Sequence, residues 1–273
     1  MNRLVVVRGA GDLASGVLAH LHRCGFAVLA LECERPAAIR RLAAFCEAAY
    51  DGVHTVEGIR CRRITAPEQA WDVLADGDIP LLVDEKADCL DALHPAALVD
   101  AILAKKNCGT RADMAPVVVA LGPGFHAPDD CDAVVETMRG HNLGRVFYAG
   151  SALPNTGVPG LIQGFGAERV MHAPASGVMR GVHRIGDLVE KGEVLGYVGE
   201  TPVYASLSGV LRGILRDGYD VPRGMKLADI DPRREQKHNC VTISDKARCI
   251  AGGVMEALMV LGQRKGVQYF ETR

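Results

Sequence analysis

A glycine-rich segment directly after the first apolar run is the part of the chain best suited to bind a ligand. Residues 4–7 are followed by Gly9 and Gly11, and Ala14 completes the spacing Gly-x-Gly-x-x-Gly/Ala of dinucleotide-binding turns. Glu32 lies about 20 residues after Gly11, where such turns place a carboxylate for the ribose. The glycines let a backbone approach a pyrophosphate at the start of a helix. The pattern predicts a nucleotide or a dinucleotide-like ligand.

The residues beside these glycines leave the ligand open. Asp12 follows Gly11, at the helix N-terminus where a pyrophosphate would bind, and a carboxylate competes with phosphate for the same N–H donors. In the alternative interpretation Asp12 caps the helix and the glycines form only a tight turn. Arg8 either pairs with Asp12 or contacts a phosphate.

Two further segments carry polar groups in glycine-rich surroundings. Gly122 and Gly124 follow another apolar run, so their backbone can approach a ligand closely. Residues 136–145 bring Arg139, His141 and Asn142 into one turn, which suits phosphate or carboxylate recognition. The alternative is a helix C-terminus stabilised by Arg139 and His141. A turn between a helix end and a strand start would lie at the edge opposite the glycine loops.

Strand-like and helix-like patterns alternate through the first half of the chain. Strands are predicted for residues 4–7, 27–31, 80–83, 116–121 and 145–148, and residues 53–64 form either a hairpin or a strand with a turn. Helices are predicted after residues 12, 36 and 67 and over 95–104 and 133–138. This alternation predicts an α/β fold: a Rossmann-like, mostly parallel sheet with helices on both faces. Ligands of such sheets bind at the carboxyl ends of the strands, where residues 8–12, 84–86, 122–125 and 150–155 would meet.

Residues 168–234 resemble a biotinyl or lipoyl carrier domain. Short apolar runs are separated by Gly-Asp and Lys-Gly pairs, and residues 186–192 match the motif Gly-Asp-x-Val-x-x-Gly of such domains. Those domains carry their prosthetic group on a lysine at a hairpin tip, but no lysine lies between Lys191 and Lys226. We therefore expect a small inserted β-barrel without biotin or lipoate. The predicted domains are 1–167, 168–234 and a C-terminal helical segment, 235–273, that returns to the α/β domain.

The composition is that of a soluble protein without a strong global charge. The chain has 273 residues, a formal net charge of −2 and 23% charged residues, which argues against nucleic-acid or membrane-surface binding. Its nine cysteines include no Cys-x-x-Cys motif, so we expect reduced thiols in a cytoplasmic protein and no metal site. The alternative is a thiol that handles sulfur or selenium, for which the spacing singles out no candidate.

Several long motifs make the chain resemble the YqeB family. They are residues 8–13, 100–107, 121–125, 136–145, 155–160, 231–233 and 242–247. The resemblance implies an accessory role in maturing or inserting a selenium-dependent molybdenum cofactor. The implied ligand is a molybdopterin-type cofactor or a nucleotide, and the implied partners are a molybdenum hydroxylase and other maturation proteins. A looser similarity to XdhC-type chaperones points to the same class.

Two functions are therefore carried forward. The first is a maturation factor that binds its cofactor at the strand ends, and the second is an NAD(P)-dependent oxidoreductase. His141 and Lys246 are the candidates for acid–base chemistry, but nothing in their spacing directs them to one substrate, so no catalytic residue is assigned. The predicted cofactor-binding residues are Arg8, Gly9, Gly11, Asp12, Glu32, Gly122, Gly124, Arg139, His141, Asn142, Asn155 and Thr156.

Overall fold

The computed structural model describes residues 3–157 and 160–270, which form two compact units. The first unit comprises Met1–Pro36, Ala44–Thr156 and Ile243–Arg273, and the second comprises Ala37–Ala43 and Gly157–Thr242. Within the described residues no helix is both long and apolar enough to cross a membrane.

A nine-stranded mixed sheet is the centre of the first unit. Its strands are β1 Val5–Arg8, β2 Val28–Glu32, β3 Val53–Val56, β4 Ile59–Ile64, β5 Ile79–Val83, β6 Ala97–Asp100, β7 Val117–Leu121, β8 Ala133–Val135 and β9 Val146–Phe147. They lie in the order β3-β4-β5-β2-β1-β6-β7-β8-β9. The two outermost pairs, β3–β4 and β8–β9, are antiparallel, and all other neighbours are parallel. The carboxyl ends of β1, β2, β5, β6, β7 and β8 therefore share one edge.

Among its described residues this unit has five α-helices, two of which are longer than two turns. They are α1 Asp12–Arg23, α2 Ala48–Asp51, α3 Ala70–Ala75, α4 Leu90–Leu93 and α5 Asp245–Lys265. Ser244 caps α5 by accepting a hydrogen bond from the N–H of Ala247 at 3.2 Å. Gly16 of α1 lies against Ala247, and a Cβ atom at position 16 would lie 2.6 Å from that methyl group. The small residue lets α1 and α5 pack closely.

The predicted Rossmann-like fold class is wrong. The sheet is mixed, and residues 97–100 and 133–135, which belong to two predicted helices, form β6 and β8 instead. The helix predicted after Pro36 is replaced by two 3₁₀ turns and the four-residue α2. Short apolar runs suit a buried strand as well as a buried helix, and the runs in β6 and β8 are wholly buried.

Two four-stranded antiparallel sheets form the second unit. The predicted biotinyl/lipoyl-like barrel, which was the other half of the predicted fold class, is therefore wrong as well. Its strands are β10 Val170–His172, β11 Gly177–Gly181, β12 Leu188–Val189, β13 Val194–Val198, β14 Thr201–Tyr204, β15 Gly209–Ile214, β16 Asp220–Val221 and β17 Lys226–Asp231. The sheet orders are β10-β17-β15-β12 and β14-β13-β11-β16. Short strands and glycine turns are common to many antiparallel sheets, so that pattern did not specify one arrangement.

Candidate functional site

A cavity of about 540 Å³ lies at the carboxyl ends of β1, β2 and β5 and beside the loop that follows β6. In parallel sheets this edge is where ligands bind. The lining residues are Arg8, Gly9, Leu31, Glu32, Cys33, Asp84, Glu85, Lys86, Ile102, Cys108 and Gly109. We call this space the strand-end cavity. Three of the predicted residues, Arg8, Gly9 and Glu32, line it.

Arg8 holds the walls of the strand-end cavity together. Its guanidinium is buried and donates to Thr110 Oγ1 at 2.5 Å, to the Glu85 carbonyl at 2.8 Å and to the Cys108 carbonyl at 3.3 Å. The buried Asp100 carboxylate lies 3.7 Å away and accepts the Thr110 hydroxyl at 2.6 Å. Arg8 therefore joins the ends of three strands. One of its two predicted roles was to pair with Asp12, but in the structure it pairs with Asp100 instead.

Glu32 binds the first glycine loop directly. One carboxylate oxygen accepts the N–H of Ala10 at 2.8 Å, and the other accepts the N–H of Cys33 at 2.9 Å. The Ala10 carbonyl in turn accepts the N–H of Cys46 at 2.8 Å and the hydroxyl of Ser15 at 2.9 Å. The peptide groups of Ala10 are thus fully used within the protein, and Glu32 fixes the loop while it lines the cavity.

Gly11 and Asp12 begin α1, and Gly11 is the N-cap residue. A Cβ atom at Gly11 would meet nothing within 4 Å, so this position faces open space. Asp12 is the first helical residue rather than the cap, which corrects the capping interpretation. Its carboxylate lies in the first turn of α1. There it interacts favourably with the positive end of the helix dipole and repels an anion that would bind at the same place.

The loop of residues 101–110 explains three of the predicted glycines through packing. A Cβ atom at Gly9 would lie 2.9 Å from the Ala101 carbonyl oxygen, and one at Gly124 would lie 2.6 Å from the Lys106 Cα. A Cβ atom at Gly122 would lie 2.6 Å from Thr137 Oγ1 and 3.5 Å from the Leu103 side chain. All three glycines have positive φ. Gly122 therefore allows Thr137 to approach the backbone and Gly124 allows the 101–110 loop to do so, and neither glycine lines the cavity.

Arg139, His141 and Asn142 lie in the β8–β9 hairpin. This hairpin follows the carboxyl end of β8, so the turn is at the same edge as the glycine loops and is no helix C-terminus, contrary to both expectations. Arg139 donates to the two carboxylate oxygens of Asp245 at 2.8 and 2.9 Å, at the start of α5. His141 is exposed, and the Asn142 carbonyl accepts the N–H of Arg145 at 2.9 Å. None of the three lines the cavity.

Asn155 and Thr156 are exposed residues of the segment that follows β9, and they do not line the cavity either. This segment is fixed upstream by the buried Glu136, which accepts the N–H of Leu153 at 2.8 Å and the N–H groups of Thr137 and Met138 at 2.8 and 2.7 Å. The carboxylate of Glu136 therefore organises two turns, which glycine spacing did not reveal.

The cavity also contains functional groups outside the predicted set. Cys33 and Cys108 belong to it, and so does the turn from Asp84 to Lys86, which the strand-end rule had placed at this edge. Burial and the neighbouring Glu32 carboxylate raise the pKa of the Cys33 thiol to about 12. Burial opposes charge on Asp84, but the N–H groups of Cys89 and Asp88 outweigh it and keep its pKa below the ordinary value. The cysteines have no motif spacing, so only the folded chain could single them out.

Acidic residues outnumber basic ones around the cavity. Glu32, Asp84 and Glu85 contribute carboxylates, whereas the positive groups are the internally bonded Arg8 and the exposed Lys86. A carboxylate has about four acceptor positions, so Glu32 keeps acceptor capacity beyond its two backbone bonds. The arrangement favours a polar group that donates hydrogen bonds over a pyrophosphate.

Comparison with known proteins supports the resemblance drawn from the motifs. The chain is 53% identical over 260 residues, or 95% of its length, to the uncharacterized protein YqeB of Escherichia coli K12. The aligned part is 48% of that protein, so the chain spans about half the length of the curated relative that it matches. No family model matches the chain.

Solved structures with detectable similarity are remote. A succinylglutamate desuccinylase/aspartoacylase from Rhodobacter sphaeroides has 14% identity and a TM-score of 0.25, with 83% of this chain and 84% of that chain covered. The product-bound ectoine utilization protein EutE (DoeB) from Ruegeria pomeroyi has 12% identity and a TM-score of 0.26, with 84% and 85% covered. Scores at this level support no conclusion about activity.

Proposed function

We propose that the chain is an accessory factor in the maturation or insertion of a selenium-dependent molybdenum cofactor, and that it binds a pterin-type ligand in the strand-end cavity. The role comes from the resemblance to YqeB, and the recipient under this proposal is a molybdenum hydroxylase. The observation that carries the choice of ligand is the excess of acceptors over available cations around the cavity.

The polar edge of a pterin ring fits this excess. Its exocyclic amino group and ring N–H groups are donors, and the acidic residues Glu32, Asp84 and Glu85 line the same space. Buried hydrogen bonds to a charged acceptor contribute about 1.5–3 kcal/mol each. At about 540 Å³ the cavity lies in the range of small-molecule pockets, which is about 300–1,000 Å³. Leu31 and Ile102 supply apolar surface beside the acceptors.

A specific observation favours the oxidoreductase alternative, because Glu32 does lie at the end of β2, as a ribose-binding carboxylate would. Three others oppose it. Glu32 binds the N–H of Ala10, Arg8 is bonded within the protein, and Asp12 places a carboxylate in the first turn of α1. A pyrophosphate at this helix would meet repulsion from Asp12.

Equilibrium titration with a fluorescent pterin and with NADH separates the two functions. Glu32→Gln keeps the shape of the side chain but removes its charge and half of its acceptor oxygens, so pterin affinity is expected to fall about tenfold, the equivalent of one charge-assisted hydrogen bond. The matched control is Glu34→Gln, which changes an exposed carboxylate two residues away and should leave affinity unchanged.

Two results would decide against this assignment. Tight NADH binding without pterin binding would favour the oxidoreductase, and pterin binding insensitive to Glu32→Gln would place the ligand elsewhere. The maturation role itself is tested in cells: the molybdenum hydroxylase of the same host should lose cofactor content when this chain is deleted and regain it on complementation. Unchanged cofactor content would reject that role.

A further inference from the structure

The wall of the strand-end cavity has already used many of its hydrogen-bond donors. Five of its eleven lining residues donate their backbone N–H to acceptors within the protein, at 2.7 to 3.1 Å. The five residues are Gly9, Cys33, Asp84, Ile102 and Gly109. Arg8 donates to the Thr110 hydroxyl and to two backbone carbonyls, and Lys86, the other cation of the wall, is exposed to solvent. The bound donors are not available to a ligand.

Acidic residues of the same wall keep the capacity to accept hydrogen bonds. A carboxylate has about four acceptor positions, and Glu32 uses two of them for the N–H groups of Ala10 and Cys33, at 2.8 and 2.9 Å. Asp84 is engaged by backbone N–H groups of the turn that follows it. Glu85 is exposed and lines the cavity beside them. Glu32 and Glu85 are therefore the acidic residues best placed to accept from a ligand.

The half-buried Cys33 thiol shows the sign of the potential in this wall. Its pKa is raised to about 12, first by burial and then by the charge of Glu32, and the charge of Glu85 raises it further. Both carboxylates therefore act on a group that lines the cavity. The charge of Arg8 is offset by the buried Asp100 carboxylate, 3.7 Å away. A ligand group that carries a hydrogen to donate is stabilised in such a potential, whereas a bare lone pair is repelled.

The two stable redox forms of a pterin differ in the property that this wall selects. In the fully oxidised ring, both nitrogens of the pyrazine half are acceptors with exposed lone pairs. In the tetrahydro ring both nitrogens carry a hydrogen and donate, while the exocyclic amino group is a donor in either form. An N–H group facing a carboxylate forms a charge-assisted hydrogen bond, but an acceptor nitrogen in the same place leaves both partners unsatisfied.

We propose that the strand-end cavity binds the tetrahydro form of a pterin in preference to the fully oxidised form, and that Glu85 is a specificity-determining residue for this choice. The inference rests on the proposed function, since it names the form of the ligand for the same cavity. Glu85 is the more informative residue to change, because Glu32 also holds the first glycine loop through Ala10. Selection of one form requires no electron transfer by the protein.

Calorimetric titration of the full-length protein under anaerobic conditions compares one pair of probes, 6-methylpterin and its tetrahydro form. The tetrahydro form should bind about tenfold more tightly, the effect of one added N–H group that meets a charged acceptor. Glu85→Gln should reduce this ratio to about threefold, because a neutral acceptor forms a weaker hydrogen bond. The matched control, Glu34→Gln, changes an exposed acidic residue that does not line the cavity and should leave the ratio unchanged.

The ratio of the two affinities separates recognition from folding, since a partly unfolded variant binds both forms less well by the same factor. Equal binding of the two forms, or tighter binding of the oxidised form, would overturn the inference and leave the proposed function standing. A preference that is unchanged in both Glu85→Gln and Glu32→Gln would trace it to the pucker of the reduced ring and would reject the role of the carboxylates. Failure of both forms to bind would reject the pterin ligand of the proposed function, and this inference with it.

Discussion

The two glycine loops of the first unit look alike in sequence but have different surroundings. Both follow buried parallel strands at one edge of the sheet. At the first loop, Gly11 faces open space beside Glu32 and the strand-end cavity, whereas at the second, Gly122 and Gly124 lie against Thr137 and Lys106. The same kind of glycine pattern therefore accompanies open space at Gly11 and close packing at Gly122 and Gly124, and the rest of the fold decides which of the two occurs.

The largest expected effect is on stability, and it tests whether Arg8, a polar residue of the first loop, supports the fold rather than a ligand. Arg8→Met should lower the free energy of unfolding by about 4 kcal/mol, because it leaves the Asp100 carboxylate buried without its cation. Urea denaturation followed by circular dichroism measures this change.

Arg145→Met is the matched control, since it removes an exposed arginine of the β8–β9 hairpin and should change stability by less than about 0.5 kcal/mol. The double variant Arg8→Met/Asp100→Asn should recover part of the loss by removing the uncompensated charge. An Arg8→Met protein that keeps its stability but loses pterin binding would instead identify Arg8 as a ligand-binding residue.

The next effect is the loss of stability when one glycine of each loop is replaced by alanine, which adds a single methyl group. Gly124→Ala should destabilise the protein by about 3 kcal/mol, because its φ of +107° is strained for alanine and the new Cβ would lie 2.6 Å from the Lys106 Cα. Gly11→Ala should cost about 1 kcal/mol or less, since φ is −69° and the surrounding space is open. Thermal and urea unfolding of both variants test the ratio.

The same pair sharpens the comparison for binding. Gly11 does not line the strand-end cavity, so Gly11→Ala should leave pterin binding nearly unchanged, while Gly124→Ala should act on stability through the 101–110 loop. Equal stability losses at both glycines would show that the loops are equivalent packing sites.

Those strands of the first unit whose residue pattern reflects their burial in the fold could be predicted from the sequence. β1 and β2 are apolar runs with clear turns, and the hairpin of β3 and β4 has Glu57-Gly58 at its turn. β6 and β8 were mistaken for helices because their apolar residues are buried on all sides and show no period.

The candidate site was predictable only in part, for a different physical reason. Arg8, Gly9 and Glu32 come from elements that the sequence revealed, and the strand-end rule placed residues 84–86 beside them. Cys108 reaches the cavity through a loop in which Leu103 and Lys105 adopt positive φ, and no local rule predicts that path. The partner of Arg139 is likewise 106 residues away in sequence.

The smallest expected effect concerns that distant partner and tests whether the β8–β9 hairpin is held by α5 rather than by an anion. The Arg139 guanidinium, and after it the N–H of Lys246 and the charges of Arg139 and Arg248, hold the pKa of Asp245 well below its ordinary value despite partial burial. A depressed carboxylate pKa means that the ion pair stabilises the fold at pH values above the unfolded pKa of about 3.9 and loses this contribution as the pH falls.

Both side chains are largely exposed, so Arg139→Gln should cost less than about 1 kcal/mol at pH 7. The difference between wild type and variant should shrink below about pH 4 and in high salt. Urea unfolding at pH 7 and pH 3 measures it, with Arg145→Gln as the unpaired control in the same hairpin. A difference that persists unchanged at pH 3 would mean that Arg139 acts through packing. A larger loss of stability in phosphate than in phosphate-free buffer would point back to an anion at this turn.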